Sequence, residues 1–284
     1  MPTARRFALA ATAWCALTQC RGASGPKVTL RYRPPTGATY HYALEQQNSV
    51  KMETGPMAQM PEQDVTLHIY YSHSVTGPTA GGIGVTVTFD STTMVPGGMA
   101  PALDRMRGLT SNVVYDDQMR VVSASPPGGE GQPSPITEQL GKSVKGMSFP
   151  LPGQPVGVGD SWTSETELPM GDALGVSEQI KSRSKLTVKE IQVAGADTAV
   201  LLGIETTFPG DPFTLTRQGV KATVRLSGML AGELLFSLAR SVPVRSSMNG
   251  TMKIDVRGAG MPGGANGMTM AMEQQTSLQL MGAR

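Results

Sequence analysis

The stretch Ile83-Gly-Val-Thr-Val-Thr-Phe-Asp-Ser-Thr-Thr-Met94 alternates apolar and polar side chains. Val85, Val87 and Phe89 share one face of an extended chain, because successive side chains of a strand point to opposite sides. A strand with one apolar and one polar face is typical of antiparallel sheet that is covered on one side only. The stretch therefore predicts a β-strand and a mainly β protein.

The same period of two recurs along most of the chain. The alternating segments are separated by turns rich in glycine and proline, of which the chain has 34 and 21, as expected for an all-β protein. The further strands predicted from this pattern are 28–32, 39–54, 64–75, 112–115, 119–123, 185–193, 198–208, 220–226, 233–238, 242–247, 252–256 and 268–280.

We interpret 27–150 and 151–284 as two related halves of curved antiparallel sheet. In each half, a strand that ends in an aromatic residue leads through a polar turn into a valine-rich strand. This likeness predicts a diverged duplication, although successive hairpins can look alike by chance. Two short helices, 101–108 and 134–144, are expected to cover a sheet face. The expected shape resembles the open half-barrel of lipoprotein carriers, at the level of the fold alone.

The N-terminus has the features of a secretory signal. Arg5 and Arg6 precede the apolar run 7–17, which is too short to cross a bilayer as a helix. The residues up to Cys20 resemble a bacterial lipobox, in which the cysteine becomes the lipidated first residue of the mature chain. Gln19 departs from the small residue that this pattern prefers. Secretion without a lipid, and an uncleaved anchor, are the alternatives.

These features divide the N-terminus into a signal peptide, 1–19, and a lipid-anchored tether, 20–26. The chain has 2 cysteines, and the other one, Cys15, leaves with the signal, so the mature chain has no pair for a disulfide. Acyl chains on Cys20 would hold the β domain to a membrane. We expect an exported protein of the bacterial cell envelope, at the outer membrane or its periplasmic face.

The string Pro-Val-Gly-Val-Gly-Asp-Ser-Trp at 155–162 is the most distinctive motif of the mature chain. With this V-x-x-G-D-S-W element, methionine-rich early strands and a hairpin at 236–246, the chain resembles an uncharacterised family of secreted or lipid-anchored bacterial β-rich proteins. The resemblance covers most of 27–284 and implies no established reaction. Trp162 is interpreted as a packing anchor between the halves, and stacking on a ligand is the alternative.

Methionine is frequent, with 18 residues. Met268, Met270 and Met272 are two apart and share one face of a strand. Ordinary core packing, the lining of a cavity for a hydrophobic ligand, and Cu(I) binding each suit such a row. Methionines of 52–60 would extend it if they lie nearby. No histidine adjoins the row in sequence, and no metal or cofactor is expected.

Charge and motifs exclude several classes of function. With 24 Lys and Arg against 22 Asp and Glu, and no basic cluster, the chain lacks a nucleic-acid groove. His68 and His73 fall on opposite faces of one strand, so they cannot chelate together. The G-x-G-x-x-G match at 258–263 is interpreted as a hairpin loop, and Asn249-Gly250 as a hairpin turn.

No catalytic motif is present, so no catalytic residue is assigned and we expect no enzyme. A hydrolase with dispersed carboxylates remains an alternative of another class. The sequence favours a lipid-anchored envelope protein that serves as a binding or structural module. The second hypothesis is a carrier that holds a lipid or other apolar small molecule in a methionine-lined concavity, with Trp162 as a further lining residue. Neither the protein partner nor the oligomeric state follows from the sequence.

Overall fold

The computed structural model describes residues 25–56, 58–97, 103–125, 149–168, 180–195, 197–217, 220–258 and 267–284. The predicted signal peptide, Cys20, the helix at 134–144 and most of the loop at 258–263 lie outside these residues. Within the described ranges, no helix is both long enough and apolar enough to span a bilayer.

In the described ranges, eleven strands form one antiparallel sheet, which is open and curved. The strands are β1 Thr39–Thr54, β2 Gln63–Thr79, β3 Gly82–Val95, β4 Thr110–Tyr115, β5 Val121–Ala124, β6 Ser161–Leu168, β7 Ile180–Ala194, β8 Asp197–Arg217, β9 Val220–Ser237, β10 Val242–Gly258 and β11 Gly267–Ala283. This architecture confirms the predicted mainly β class.

The order of the strands is β5-β4-β3-β2-β1-β11-β10-β9-β8-β7-β6. Strands β1–β5 and β6–β11 are therefore two meanders, and the first and last strands of the sequence join them. In this central pairing Leu44 lies opposite Leu278 and Val50 lies opposite Met272. The two predicted halves thus form one continuous sheet.

We call the inner face the side of the sheet that carries the buried hydrophobic side chains. Its larger cluster draws on both meanders, for example Tyr42 and Val87 from the first and Leu202 and Phe236 from the second. A second cluster lies on the long strands β8–β10, and it includes Phe208, Phe213, Val224, Leu226, Met252 and Val256. The halves therefore share a core as well as a sheet.

Two segments outside the sheet, 26–33 and 149–160, connect strands near its two opposite edges. The amide of Tyr32 donates to the carbonyl of Asp117 in the β4–β5 turn, at 2.8 Å. Val28 and Val156 bond to each other, and Gly159 donates to the carbonyl of Val188 in β7. This series of bonds links the β4–β5 turn, near one edge of the sheet, to β7, near the other edge.

The segment 28–32 corrects one prediction. Its alternating pattern predicts a strand, but only the isolated bridge from Val28 to Val156 forms. Leu30 and Tyr32 are buried in the larger cluster, while Arg31 donates to the carbonyls of Pro152 and Gly153. The alternation therefore reflects a bridging segment with one buried side, which a period of two cannot distinguish from a sheet strand.

Two pairs of predicted strands are single long strands, because 220–226 and 233–238 belong to β9 and 242–247 and 252–256 belong to β10. The prediction of a hairpin turn at Asn249-Gly250 is wrong, since both residues lie in the middle of β10. The helix predicted at 101–108 is represented in the described residues by a short helical turn at 103–104. A turn follows it and ends at Gly108, whose φ is 79°.

Candidate ligand-binding surface

Methionines from three neighbouring strands lie side by side on the inner face. Met52 of β1 is opposite Met270 of β11, and Met252 of β10 is opposite Met272. Met268 lies two positions further along β11, opposite Val256. We call these five methionines the methionine surface. The row predicted from β11 alone is therefore part of a wider array.

The methionine surface continues the second hydrophobic cluster toward the middle of the sheet. Met252 is 9% exposed, whereas Met52 and the three methionines of β11 are only partly buried. On the other side of β10, Leu226 and Val224 pair with Ile254 and Val256 and are almost fully buried. The inner face is therefore packed and buried at β9, and it becomes a partly exposed apolar surface at β11 and β1.

A row of mostly small or uncharged polar residues crosses the inner face between most of the larger cluster and the second cluster, to which its member Leu230 belongs. Because each member lies opposite the next in the register, the row crosses eight adjacent strands. It consists of Ser164, Ser184, Thr206, Leu230, Gly250, Gln274, Asn48 and Val65. We call it the polar row.

The polar row is widest at the β1–β11 pairing. Gln46 donates to Asn48 at 3.1 Å along β1, and Gln274 donates to Thr276 at 3.0 Å along β11. The register places Gln46 opposite Thr276 and Asn48 opposite Gln274. All four are partly exposed. We call them the amide cluster, and it lies two residues from the methionine surface.

Charged side chains lie on the outer face of these strands. Lys51, Glu53, Lys253 and Glu273 alternate with inward-facing residues, and the Lys253 ammonium lies 2.9 Å from the Glu53 carboxylate. Leaving aside 215–220 at the β8–β9 turn, no Lys, Arg, Asp or Glu occupies an inward position of the described strands. Outside 215–220, the inner face of the described strands is therefore apolar or neutral.

The opposite end of the inner face is aromatic. His73 lies 5.3 Å from the ring of Tyr42 and 5.2 Å from the ring of Tyr71. Burial lowers the pKa of His73 to about 4 and raises the pKa values of Tyr42 and Tyr71. All three side chains are therefore neutral at pH 7.

The cavity among these aromatic residues is too small for a ligand. Its volume is about 40 Å³, and it is lined by Tyr71, His73, Phe89, Tyr115, Phe149 and their neighbours. A cavity of this size admits a water molecule, whereas sites for small organic ligands are typically about 300–1,000 Å³. The aromatic end is therefore packed core.

The two kinds of predicted lining residue lie in different parts of the molecule. Trp162 packs against the larger cluster, and its indole N–H donates to the carbonyl of Pro150 at 2.8 Å. Met268 and Met272 pack against the second cluster instead. The Trp162 contacts favour the packing interpretation, because its polar atom is bonded within the protein.

Histidines and carboxylates form no assembled reactive centre among the described residues. The prediction that His68 and His73 face opposite sides is confirmed, since His68 lies 3.7 Å from the outer-face Glu45 and His73 lines the inner cavity. In the part of the chain that the structure describes, no three His, Cys, Asp or Glu side chains are placed to hold a metal ion.

One pair of carboxylates does converge, on the exposed outer face. The Ser49 hydroxyl lies 2.5 Å from Glu62 and 2.6 Å from Asp64. Asp64 and Glu273 also line an open polar groove of about 630 Å³. Asn48 and Gln274 of the amide cluster line the same groove, but the register places Asp64 and Glu273 at outward positions, on the opposite side of the sheet from the methionine surface.

The sequence indicated the methionine row of β11 but not the amide cluster or Met252. These residues become neighbours only through the pairing of β11 with β1 and β10. The one available signal was that Met252, Gln274 and Asn48 fall on the apolar side of their own strands. That signal shows which face a residue occupies but not its partner.

Comparisons with known proteins do not assign a family. No protein-family model matches the chain, and no curated protein sequence matches it. A weak structural likeness links it to lipovitellin, in a structure concerned with lipid–protein interactions, at a TM-score of 0.48 and 10% sequence identity. The likeness covers 89% of this chain and 26% of the lipovitellin chain. At this level of similarity it carries no argument about the ligand.

Proposed function

We propose that this protein is a non-enzymatic binding protein of the cell envelope, and that it holds a hydrophobic ligand on the methionine surface. The observation that carries the proposal is the joining of five methionines from three strands into one partly exposed apolar surface. In the described strands outside 215–220, the face that holds them has no Lys, Arg, Asp or Glu at an inward position. Exposed apolar surfaces of this kind mark binding sites more often than isolated apolar residues do.

Methionine suits such a surface for a physical reason. Its unbranched thioether side chain adapts to irregular shapes, so one array of methionines can pack against flexible apolar chains. Each square ångström of apolar area removed from water stabilises the complex by about 25 cal/mol. A ligand that covers the partly exposed Met52, Met268, Met270 and Met272 therefore gains binding energy without requiring a shape-matched pocket.

The location is part of the same proposal. The signal-like segment 1–19 and the lipobox-like Cys20 support export and acylation of the cysteine. Two or more acyl chains give stable attachment, whereas one gives only reversible binding. A domain tethered in this way would present its methionine surface close to membrane lipids, which are the most abundant apolar molecules there.

Native mass spectrometry of the full-length Cys20→Ser protein, which carries no acyl chain and is purified without detergent, tests the binding function. A carrier retains apolar adducts from its expression host. After these adducts have been extracted, it takes up added hexadecane. A purely structural module shows neither, and that result would reject the proposal. Circular dichroism on the same samples reports whether the sheet is intact.

Three variants localise the binding site. Met270→Gln places a polar amide in the middle of the methionine surface and is expected to lower hexadecane uptake several-fold. Met270→Leu keeps the position apolar and is expected to preserve uptake. Met281→Gln is the matched control, because Met281 lies on the same strand but is 62% exposed. Equal uptake by Met270→Gln and the wild type would place the ligand elsewhere.

A further inference from the structure

We infer that the ligand is an amphiphile with an uncharged polar group, whose chains lie on the methionine surface and whose polar group binds the amide cluster. This inference rests on the proposed function and adds the chemical class of the ligand. It follows from three features of the inner face. These are the position of the amide cluster, the distance that the apolar surface spans, and the lack of Lys or Arg at inward positions of the described strands outside 215–220.

The amide cluster offers hydrogen bonds to a neutral group. Gln46 bonds to Asn48, and Gln274 bonds to Thr276. Each primary amide has two N–H donors and a carbonyl acceptor, so one bond within each pair leaves further donors and acceptors. Hydroxyl, ester and amide groups of a ligand match this mixture, since they also donate or accept without charge.

The apolar surface has the length of an acyl chain. A strand rises about 3.3–3.4 Å per residue, so Met272 lies about 7 Å from Gln274 along β11 and Met268 lies about 20 Å away. The hydrocarbon core of a bilayer is about 30 Å thick, which gives about 15 Å for one acyl chain. An acyl chain whose polar end binds the amide cluster therefore has its other end on the methionine surface.

The inner face disfavours a charged head group. A buried phosphate or carboxylate requires a paired cation or many hydrogen-bond donors, because desolvation of an ion is costly. No Lys or Arg occupies an inward position of the described strands outside 215–220, and His73 is neutral at pH 7 because burial lowers its pKa to about 4. An anionic lipid would thus lose its hydration without gaining a partner.

One further polar atom on this face lacks a partner. Thr92 of β3 lies opposite Ile69 of β2, which is two residues along β2 from Leu67, the residue opposite Gln46. Its side chain is 5% exposed, and its hydroxyl finds no hydrogen-bond partner among the described residues. Buried hydroxyls are normally bonded, so Thr92 is an unsatisfied polar atom of the core, two strands away from Gln46 of the amide cluster.

Two lipids with the same chains test the inference. Full-length Cys20→Ser protein, which has no acyl chain to insert into a bilayer, is incubated with phosphatidylcholine vesicles. The vesicles contain equal amounts of dioleoylglycerol, which is uncharged, and dioleoylphosphatidic acid, which is anionic. Retained lipid is counted by native mass spectrometry after the vesicles are removed. We expect dioleoylglycerol to be retained roughly tenfold more than dioleoylphosphatidic acid. Equal retention, or a preference for the acid, would overturn the inference.

Substitutions on β11 assign the preference to the amide cluster. Gln274→Glu keeps the shape of the side chain and adds a charge, so it is expected to lower dioleoylglycerol retention roughly tenfold. Gln275→Glu makes the same change one residue away, on the exposed outer face, and is expected to behave as the wild type. Unchanged retention in Gln274→Glu would contradict the inference.

Two further measurements separate the inference from the proposed function. Gln274→Met removes the amide without adding charge, so it provides the comparison if Gln274→Glu does not fold. It is expected to retain less dioleoylglycerol than the wild type does. Wild-type protein that takes up hexadecane but does not distinguish the two lipids rejects only the ligand class. Failure to retain hexadecane and both lipids rejects the proposed function as well.

Discussion

The hydroxyl of Tyr42 donates a hydrogen bond to the main-chain carbonyl of Pro243, at 3.1 Å, across 201 positions of sequence. Tyr42 belongs to β1 and Pro243 to β10, so the bond passes over the intervening strand β11. The same tyrosine ring stacks on Tyr71 of β2, with the ring centroids 5.4 Å apart. One side chain therefore ties the two meanders together inside their shared core.

Removal of this bond is expected to destabilise the protein. Tyr42→Phe keeps the ring and leaves the Pro243 carbonyl without its donor, which costs about 1–3 kcal/mol of unfolding free energy. Urea denaturation measures the change as a lower midpoint with an unchanged slope. Tyr70→Phe is the control, because Tyr70 is 47% exposed, and it should shift the midpoint little. Equal midpoints for both variants would show that the bond contributes nothing.

His73 predicts a specific dependence of stability on pH. Burial lowers its pKa from 6.5 to about 4 in the folded protein, so the unfolded chain binds more protons between these values. Stability contributed by neutral His73 is therefore complete above pH 6.5 and falls as the pH drops toward 4, by up to about 3 kcal/mol.

Urea denaturation at pH 7 and pH 5 measures this effect. His73→Phe removes the titrating group, so the loss of stability on acidification should be smaller than in the wild type. His68→Gln removes a histidine that faces Glu45 on the outer side, and it should retain the wild-type loss. A wild-type loss that persists in His73→Phe would assign the effect to other groups.

Gly250 is predicted to tolerate no side chain. A Cβ atom at this position would overlap the carbonyl oxygen of Met229 on β9, and a Cβ at Gly232 would overlap that of Ser247 on β10. Gly250→Ala is therefore expected to cost about 3 kcal/mol of unfolding free energy or to prevent folding. Gly282→Ala is the control, because a Cβ there meets no atom within 4 Å. Thermal unfolding of the two variants makes the comparison.

The same glycine shows where inference from the sequence succeeds and where it stops. The alternation of apolar and polar residues predicted the β class, the antiparallel sheet and most strand positions, because burial of one face dictates that pattern. Asn249-Gly250 gave the local signal of a hairpin turn. In the structure, Gly250 instead allows β9 and β10 to approach closely in the middle of two long strands, and only the paired strands reveal that requirement.

The candidate site was predictable to a similar extent. A period of two placed Met268, Met270 and Met272 on one face. It could not place Met52 beside Met270, because that contact depends on the register between the first and last strands. Register is decided by the whole set of cross-strand contacts, and a shift of one residue would turn every side chain of a strand to the other face. The amide cluster was inaccessible from the sequence for the same reason.

Removal of the Thr92 hydroxyl is expected to stabilise the protein. Thr92→Val keeps the shape of the side chain and eliminates a buried polar atom that has no partner among the described residues. The unfolding free energy of ligand-free protein should rise by about 1 kcal/mol. Thr93→Val, on the exposed side of the same strand, should change it by less than about 0.5 kcal/mol. A decrease in Thr92→Val would indicate that the hydroxyl is already bonded.

Acylation of Cys20 gives the remaining prediction, and Cys15 supplies its control. If the lipobox-like segment is processed, radioactive palmitate labels the wild type and Cys15→Ser but not Cys20→Ser, because only Cys20 remains in the mature chain. The labelled proteins should sediment with membranes, whereas Cys20→Ser should stay in the supernatant once cells are disrupted. An unlabelled wild type of mature length would favour secretion, and an unlabelled wild type of full length would favour an uncleaved anchor. In either case the methionine surface would still be tested by ligand uptake, since its geometry does not depend on the lipid.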